Sequence, residues 1–444
     1  MKNIIALLLF FFTFSGIYSQ SLYKNILISD AVSPESEYTP SEPTIMINPY
    51  NSRHIVAAAN VDGYFYSFDG GLTWSVNTLT SSQYGVWGDP SIVMDGNQNF
   101  YYFHLAKDPK DGKWYDRMIC QKSADGGITW DDPGTYFGMN PPHLQDKEWA
   151  AMDLSYSPYR NNIYVAWTQC GQGSDEDTPD KTSSNPIPGS GTHILFSRST
   201  NEGISWSDAK SISKIEGKDC SYVSETLLGA QPCVGLNGEV YVTWCSPDGM
   251  MLNKSTDGGI SWIDTEIKTA SLPSGFKYEI PGIYRCFGFP SMVCDMSNGN
   301  YNGTLYISWA GPRENSTDSD IWIIKSRNEG RTWSDPHKVN DDVSGKHQFF
   351  SWMTVDQTTG YIYTVFYDRR NYDDDRTDVY IARSADGGET FVNERISESP
   401  FTPISQTFMG DYIGISAVNG SVRPIWTRVD STKLGVWTAI IDEK

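Results

Sequence analysis

The chain is built from short phrases of alternating apolar and polar residues, bounded by Gly, Pro, Asn and Asp. Pairs such as "NFYYFHL" with "RMICQKS", or "GEVYVTW" with "GMMLNKS", show the period-two pattern of half-buried β-strands. Each pair leads into one eight-residue turn phrase: "SFDGGLTW" at Ser67, "SADGGITW" at Ser123, "STNEGISW" at Ser199, "STDGGISW" at Ser255, "SRNEGRTW" at Ser326 and "SADGGETF" at Ser384. Another extended stretch follows, and then an apolar run with a polar head opens the next unit. The heads are "SEPTIMIN", "GDPSIVMD", "DKEWAAMD", "AQPCVGLN", "GFPSMVCD", "FSWMTVD" and "GDYIGISA", seven against six turn phrases. The last unit lacks a fourth strand, and "KNILIS" (Lys24 to Ser29) can supply it from the other end. Four strands per unit, with the first strand completing the last sheet, predict an all-β, seven-bladed propeller of antiparallel blades. Closure removes the unpaired edge that a linear array of sheets would expose.

The start of the chain stands outside this pattern. Lys2, the apolar run "IIALLLFFFTF" and the small residues of "GIYSQ" predict a signal peptide over 1–20, cut near Ser19, with 21–444 as one propeller domain. No Cys follows the apolar run and no second apolar stretch is long enough to cross a bilayer, so an exported protein without a membrane span is expected. Aromatics at 14%, with 39 Gly and 23 Pro, suit a turn-rich β protein. A formal charge of -20 argues against a nucleic-acid partner but not against an anionic glycan held by a few local arginines. Seven Cys give no zinc spacing; buried thiols with one or two bridges, such as Cys170 with Cys220, are expected.

In the turn phrase, Asp69, Asp125, Asp257 and Asp386, or Asn201 and Asn328, accept backbone N–H bonds. Gly supplies a positive φ and the closing Trp or Phe packs a large ring on the neighbouring strand. This is similar to the Asp-box, S-x-D-x-G-x-T-W, of sialidase-like (BNR-repeat) propellers, and the resemblance spans the mature chain. In such a blade the Asp-box turns and the first-to-second strand turns share one face. The long loops fall on the other, with the heads of the inner strands. Those heads carry Glu42, Asp89, Asp146, Gln231, Ser351, Asp411 and Tyr412, and nearby loops carry Tyr284, Arg285, Arg313, Asp368, Arg369 and Arg370. Paired carboxyls do acid/base work on sugars, and Arg forks grip substrate carboxylates. An Asp before an inner strand can equally tie neighbouring blades together, and "YDRR" can be a surface ion-pair loop.

The resemblance implies a retaining exo-glycosidase with an arginine cluster, an Asp acid/base and a Tyr nucleophile paired with a Glu. Pro43 matches the family's first motif, but Ser41 stands where its Arg belongs. Asp62 falls where the acid/base lies, although Asp62-Gly63 also reads as a hairpin turn. Gln231 replaces the family's Glu, with Glu225 as a substitute, and Trp244 stands where a later Arg belongs. Tyr412 lies where the nucleophile does. The expectation is an exported carbohydrate-active protein, a sialidase-like glycoside hydrolase acting on an acidic glycan. Its catalytic candidates are Asp62, Asp89, Asp146, Asp411 and Tyr412, and its binding candidates Arg285, Arg313, Arg369, Arg370, Tyr284 and His104. One alternative is a non-catalytic propeller binding a glycan or protein at the same mouth. The other is a lyase on a uronate polysaccharide, drawing on His104, His143, His347, Tyr284 and Arg285. No cofactor is expected, apart from structural calcium on "NYDDDRTD" (Asn371 to Asp378), which also reads as a solvated acidic loop. "NGT" at Asn302 and "NST" at Asn315 are glycosylation sequons.

Overall fold

The computed structural model describes residues 23–30, 40–107, 110, 115–171, 191–218, 225–314, 316–430 and 433–443. The signal peptide expected over 1–20, Cys220 and Asn315 lie outside them. Seven four-stranded antiparallel sheets form the blades of a propeller, and no helix occurs among the described residues. The inner strands are Thr44–Asn48, Ser91–Met94, Leu144–Met152, Leu228–Val234, Ser291–Cys294, Gln348–Val355 and Gly414–Val418, here blades 1 to 7. The ring closes as the sequence predicts. Lys24–Asp30 adds antiparallel to Lys433–Asp442, with Lys24 opposite Ile440 and Asp30 opposite Gly435, and so completes blade 7. A two-stranded ribbon, Lys277–Tyr278 with Cys286–Phe287, decorates the link between blades 4 and 5.

The Asp-boxes account for much of the packing between blades. In the first, Ser67 donates to Asp69 at 2.8 Å, and Asp69 accepts from the Thr73 N–H at 3.0 Å and the Thr73 hydroxyl at 2.6 Å. The closing ring then wedges towards the preceding blade. Trp206 of blade 3 stacks on Phe137 of blade 2 at 4.3 Å, and Trp262 of blade 4 meets Phe196 of blade 3 edge-on at 4.7 Å. Each such pair contributes about 0.5–1.5 kcal/mol beyond the area it buries. The box brings the backbone itself close to the same neighbour. A Cβ on Gly259 would sit 2.6 Å from the Phe196 ring, at a φ of 83°, so only glycine fits.

Inner strands start at one face of the ring and third strands end at the other, so the Asp-boxes decorate the face opposite the inner-strand heads. Cross-blade bonds on that back face agree: His54, at the start of a second strand, meets the Gly126 carbonyl at 2.9 Å. Cys170 is disulfide-bonded, whereas Cys120, Cys233, Cys245, Cys286 and Cys294 are buried free thiols.

Burial opposes the charge of Asp257, but donors from Ser261, Ser255 and Ile260 hold its carboxyl down at about 2. A carboxyl lowered on folding stabilises above its unfolded value of about 3.9 and loses that contribution as pH falls through the folded value. Asp257→Ala is therefore expected to cost about 1–3 kcal/mol in urea unfolding near neutral pH. The gap to the unmodified protein should shrink as pH is lowered below about 4 towards 2.

Candidate functional site

The heads of the inner strands share an unusual backbone. Glu42, Asp89, Lys147 and Phe350 have φ of 52°, 53°, 54° and 49°, Gly229 holds the corresponding place in blade 4 at 73°, and Gly410, just ahead of Asp411 in blade 7, has 95°. In blades 3, 4 and 6 the pairing with the second strand slips at this point, between Asp146 and Trp149, Leu228 and Gln231, and Phe349 and Trp352. Such bulges re-aim side chains, here into the axial mouth. In blade 3 the left-handed residue is Lys147 rather than Asp146, which places a cation among the carboxylates.

That lysine is the hub of the mouth. Its Nζ lies 2.8 Å from Glu42 Oε1, 2.9 Å from Asp411 Oδ2 and 3.5 Å from Asp89 Oδ2, so blade 3 is tied to blades 1, 7 and 2. Burial opposes the charge of Lys147, yet Asp411, Asp89 and Glu42 together hold its pKa well above the usual lysine range. Arg285, from the link between blades 4 and 5, grips Asp411 with both prongs at 2.8 and 2.7 Å. Against burial, Arg285 and then Lys147 keep the Asp411 carboxyl ionised, with its pKa lowered to about 2. Glu42 and Asp89 are pushed upwards, above all by burial, and Glu42 also by the Asp89 charge beside it. Further bonds lock the frame: Asn60 donates to Glu42 Oε2 at 2.7 Å, and the Asp411 N–H donates to Glu42 Oε1 at 3.0 Å. Blades 1 and 7 approach so closely here that a Cβ on Gly410 would lie 2.7 Å from Glu42 atoms.

Beside the hub is a small, half-open axial cleft lined by Lys147, Glu148, Trp149, Phe289, Trp352 and Tyr412 among others. Three rings from three blades converge there. Trp149 lies 4.6 Å from Trp352 and 5.4 Å from Tyr412, and Trp352 lies 5.9 Å from Tyr412. Glu148 is 1% exposed, and both of its carboxyl oxygens are buried without a hydrogen-bond partner. Burial first, then the Asp89 charge, raises its pKa well above the glutamate range, which favours its neutral form.

Comparison with known proteins fits this architecture. A family model described as BNR/Asp-box repeat matches residues 65–76, the first of the six boxes. The chain folds as a seven-bladed β-propeller with Asp-box turns. No curated protein matches it significantly. Among solved structures, the propeller is similar to a protein of unknown function from Dyadobacter fermentans at 11% identity, covering 96% of this chain and 99% of that one, with a TM-score of 0.47. It is also similar to the Hadza microbial sialidase Hz136, at 15% identity, 86% and 73% coverage and a TM-score of 0.46. YCF48, solved with a D1 peptide bound, gives 12% identity, 95% and 96% coverage and a TM-score of 0.47. None of these superpositions is close enough to transfer chemistry.

The propeller brings Asp89, Asp146, Asp411, Tyr412 and Arg285 together at the mouth, and Asp146 accepts the Lys147 N–H at 2.9 Å. Held ionised by two cations, Asp411 is no proton donor near neutral pH, in contrast to the acid role read from the sequence. Asp62 sits half-buried on the hairpin between Asn51–Ala59 and Gly63–Ser67, with its pKa raised by burial. His104 is placed differently from the expectation. It is fully buried inside blade 2, bonded to the Leu105 carbonyl at 2.8 Å and to Gln121 at 3.1 Å, and burial lowers its pKa to about 4.

The arginine clamp is not assembled either. Arg370 is committed to Asp368 and Asp341 and lies over the Tyr380 ring. Arg369 is buried against Phe349, with Thr377 at 3.1 Å and Asp375 at 3.3 Å, and Arg313 pairs with Asp320 at 3.4 Å. Tyr284 is exposed beside Phe408, His143 is half-buried, and Glu225 pairs with Lys218. In the proposed calcium loop the carboxylates turn to separate partners: Asp373 to Lys346, Asp374 to Arg376, Asp375 to Arg369 and Asp378 to Tyr372. No group of three or more metal-ligating side chains gathers among the described residues.

Sequence reasoning missed Lys147, Glu148, Trp149 and Trp352. A usable signal was present, because Glu42, Asp89 and Lys147 each stand six residues before the turn residue that ends the head phrase: Asn48, Asp95 and Asp153.

The two outer carboxylates of the hub should respond differently to neutralisation. Asp411→Asn leaves Lys147 and Arg285 under-neutralised and is expected to cost about 3–5 kcal/mol in urea unfolding at neutral pH. Asp89→Asn, at the longer contact and with a raised pKa, should cost less than half as much. Equal costs would mean that Asp411 is not the principal counter-ion.

Proposed function

We propose that this propeller is an exported glycan-binding protein that holds a sugar at its axial mouth without cleaving it. The observation that carries this reading is the commitment of charge. Glu42, Asp89 and Asp411, the carboxyls best placed for catalysis, are tied up by one buried lysine, and Asp411 also by Arg285. Trp149, Phe289, Trp352 and Tyr412 line part of the opening beside Lys147, Glu148 and Gln231, and aromatic faces beside a few polar groups suit sugar rings. Arg370, Arg313 and Arg369 lie in their own ion pairs, which removes the basis for a sialidase-type grip on a substrate carboxylate. His104 supplies no base for a lyase, since it sits inside a blade.

Glu148 favours a second reading. A carboxyl whose pKa is raised by burial beside other carboxyls is how acid and base roles are separated in glycoside hydrolases. Under that reading Glu148 protonates the leaving oxygen and Asp146 or Asp89 acts on the water. A glycan array combined with a product screen on sialosides, uronate polysaccharides and neutral glycosides separates the two. Binding without products is the expected outcome. Trp149→Ala or Trp352→Ala should then weaken binding about tenfold or more, read by titration calorimetry, since a buried aromatic anchor contributes about 1–3 kcal/mol. Released sugar that disappears in Glu148→Gln would instead establish the hydrolase.

A further inference from the structure

The glycan reading leaves open what charge the ligand carries. We infer that the ligand of the axial opening carries a protonated amine: it is an amino-sugar glycan whose ammonium sits against Trp149, Trp352 and Tyr412, with Glu148 as its counter-ion.

Three observations converge on this. First, the cations already present at the mouth are committed. Lys147 faces three carboxylates, and Arg285 holds Asp411 with two hydrogen bonds. An anionic sugar would approach Asp89, Asp146, Glu148 and Asp411 without an uncommitted partner. Second, Glu148 lines the opening with both oxygens buried and unpartnered, an arrangement that costs free energy until a donor fills it. An ammonium brings three donors and the matching charge. Third, three aromatic rings wall the same space, and ring faces attract cations.

Seating the amine carries a proton balance. The groups that face Glu148 are Asp89, Asp146, Lys147, Tyr102 and Tyr412. Burial, and then the Asp89 charge beside it, favour the protonated form of Glu148 in the empty site. When the ammonium enters, Glu148 gives its proton to solvent and becomes the carboxylate partner, so one proton leaves for each amine bound.

The test is calorimetric titration of the full-length folded protein with a glucosamine oligomer, the N-acetylated oligomer of the same length and a uronate oligomer. Two buffers of different ionisation heat are used at a pH well below the amine's own pKa, so that the ligand enters already protonated. The glucosamine oligomer should bind about tenfold tighter than its N-acetylated form, with the uronate weakest, and release about one proton per site. Glu148→Gln should bring the first two to within about twofold of each other and abolish the release. Should that variant not fold, the proton count on the unmodified protein decides. If the N-acetylated or uronate oligomer binds as tightly as the amine, or no proton leaves, this inference falls while the glycan reading stands. If none of the three binds, both fall.

Discussion

A buried ammonium must be neutralised where it stands, and in this propeller the side chain of Lys147 meets that demand by reaching three blades other than its own. Its partners Glu42, Asp89 and Asp411 come from the first, second and last inner strands, residues far apart along the chain. Because desolvating a lysine is expensive, its geometry admits little slack. The left-handed backbone at Glu42, Asp89 and Lys147, the bulge between Asp146 and Trp149, and the close passage of Gly410 by Glu42 all serve the convergence of these side chains. The aromatic cluster follows from the same bulge. Moving Lys147 into the ring of heads sends Trp149 towards Trp352 and Tyr412.

The two faces of the ring divide the labour. On the back, Asp-boxes wedge each closing ring towards the preceding blade and satisfy their Ser and Asp or Asn side chains locally, so they stabilise without offering chemistry. At the front, polar groups from distant blades satisfy one another. The front is therefore strongly acidic in composition, yet its ions are largely paired. What remains for a ligand is a set of ring faces and one buried, unpartnered carboxyl, Glu148. This is why likeness of fold does not carry a family's reaction with it.

The architecture was legible in the sequence because it is written in local signals. Period-two runs, six Asp-boxes, seven heads and the spare strand at Lys24 each depend on neighbouring residues, and the structure agrees with them. The mouth was legible only in part. Glu42, Asp89, Asp411 and Tyr412 were found because their heads align simply. In blade 3 a bulge shifted the alignment by one residue, so Asp146 was read in the place that Lys147 occupies, and Glu148 was passed over. His104 looked available because its strand alternates, although both faces of that strand are covered. The arginines looked like a clamp because their partners, Asp411, Asp368, Asp375 and Asp320, lie on other loops or strands whose approach no local pattern reveals.

The most direct test of the hub is the stability of Lys147→Met across pH, measured by urea unfolding with the slope of the transition monitored. Removing the ammonium leaves Glu42, Asp89 and Asp411 buried together. The account predicts a loss of about 3–5 kcal/mol near pH 7 that shrinks as pH falls and the carboxyls take up protons. A loss below about 1 kcal/mol, or one that does not change with pH, would contradict it.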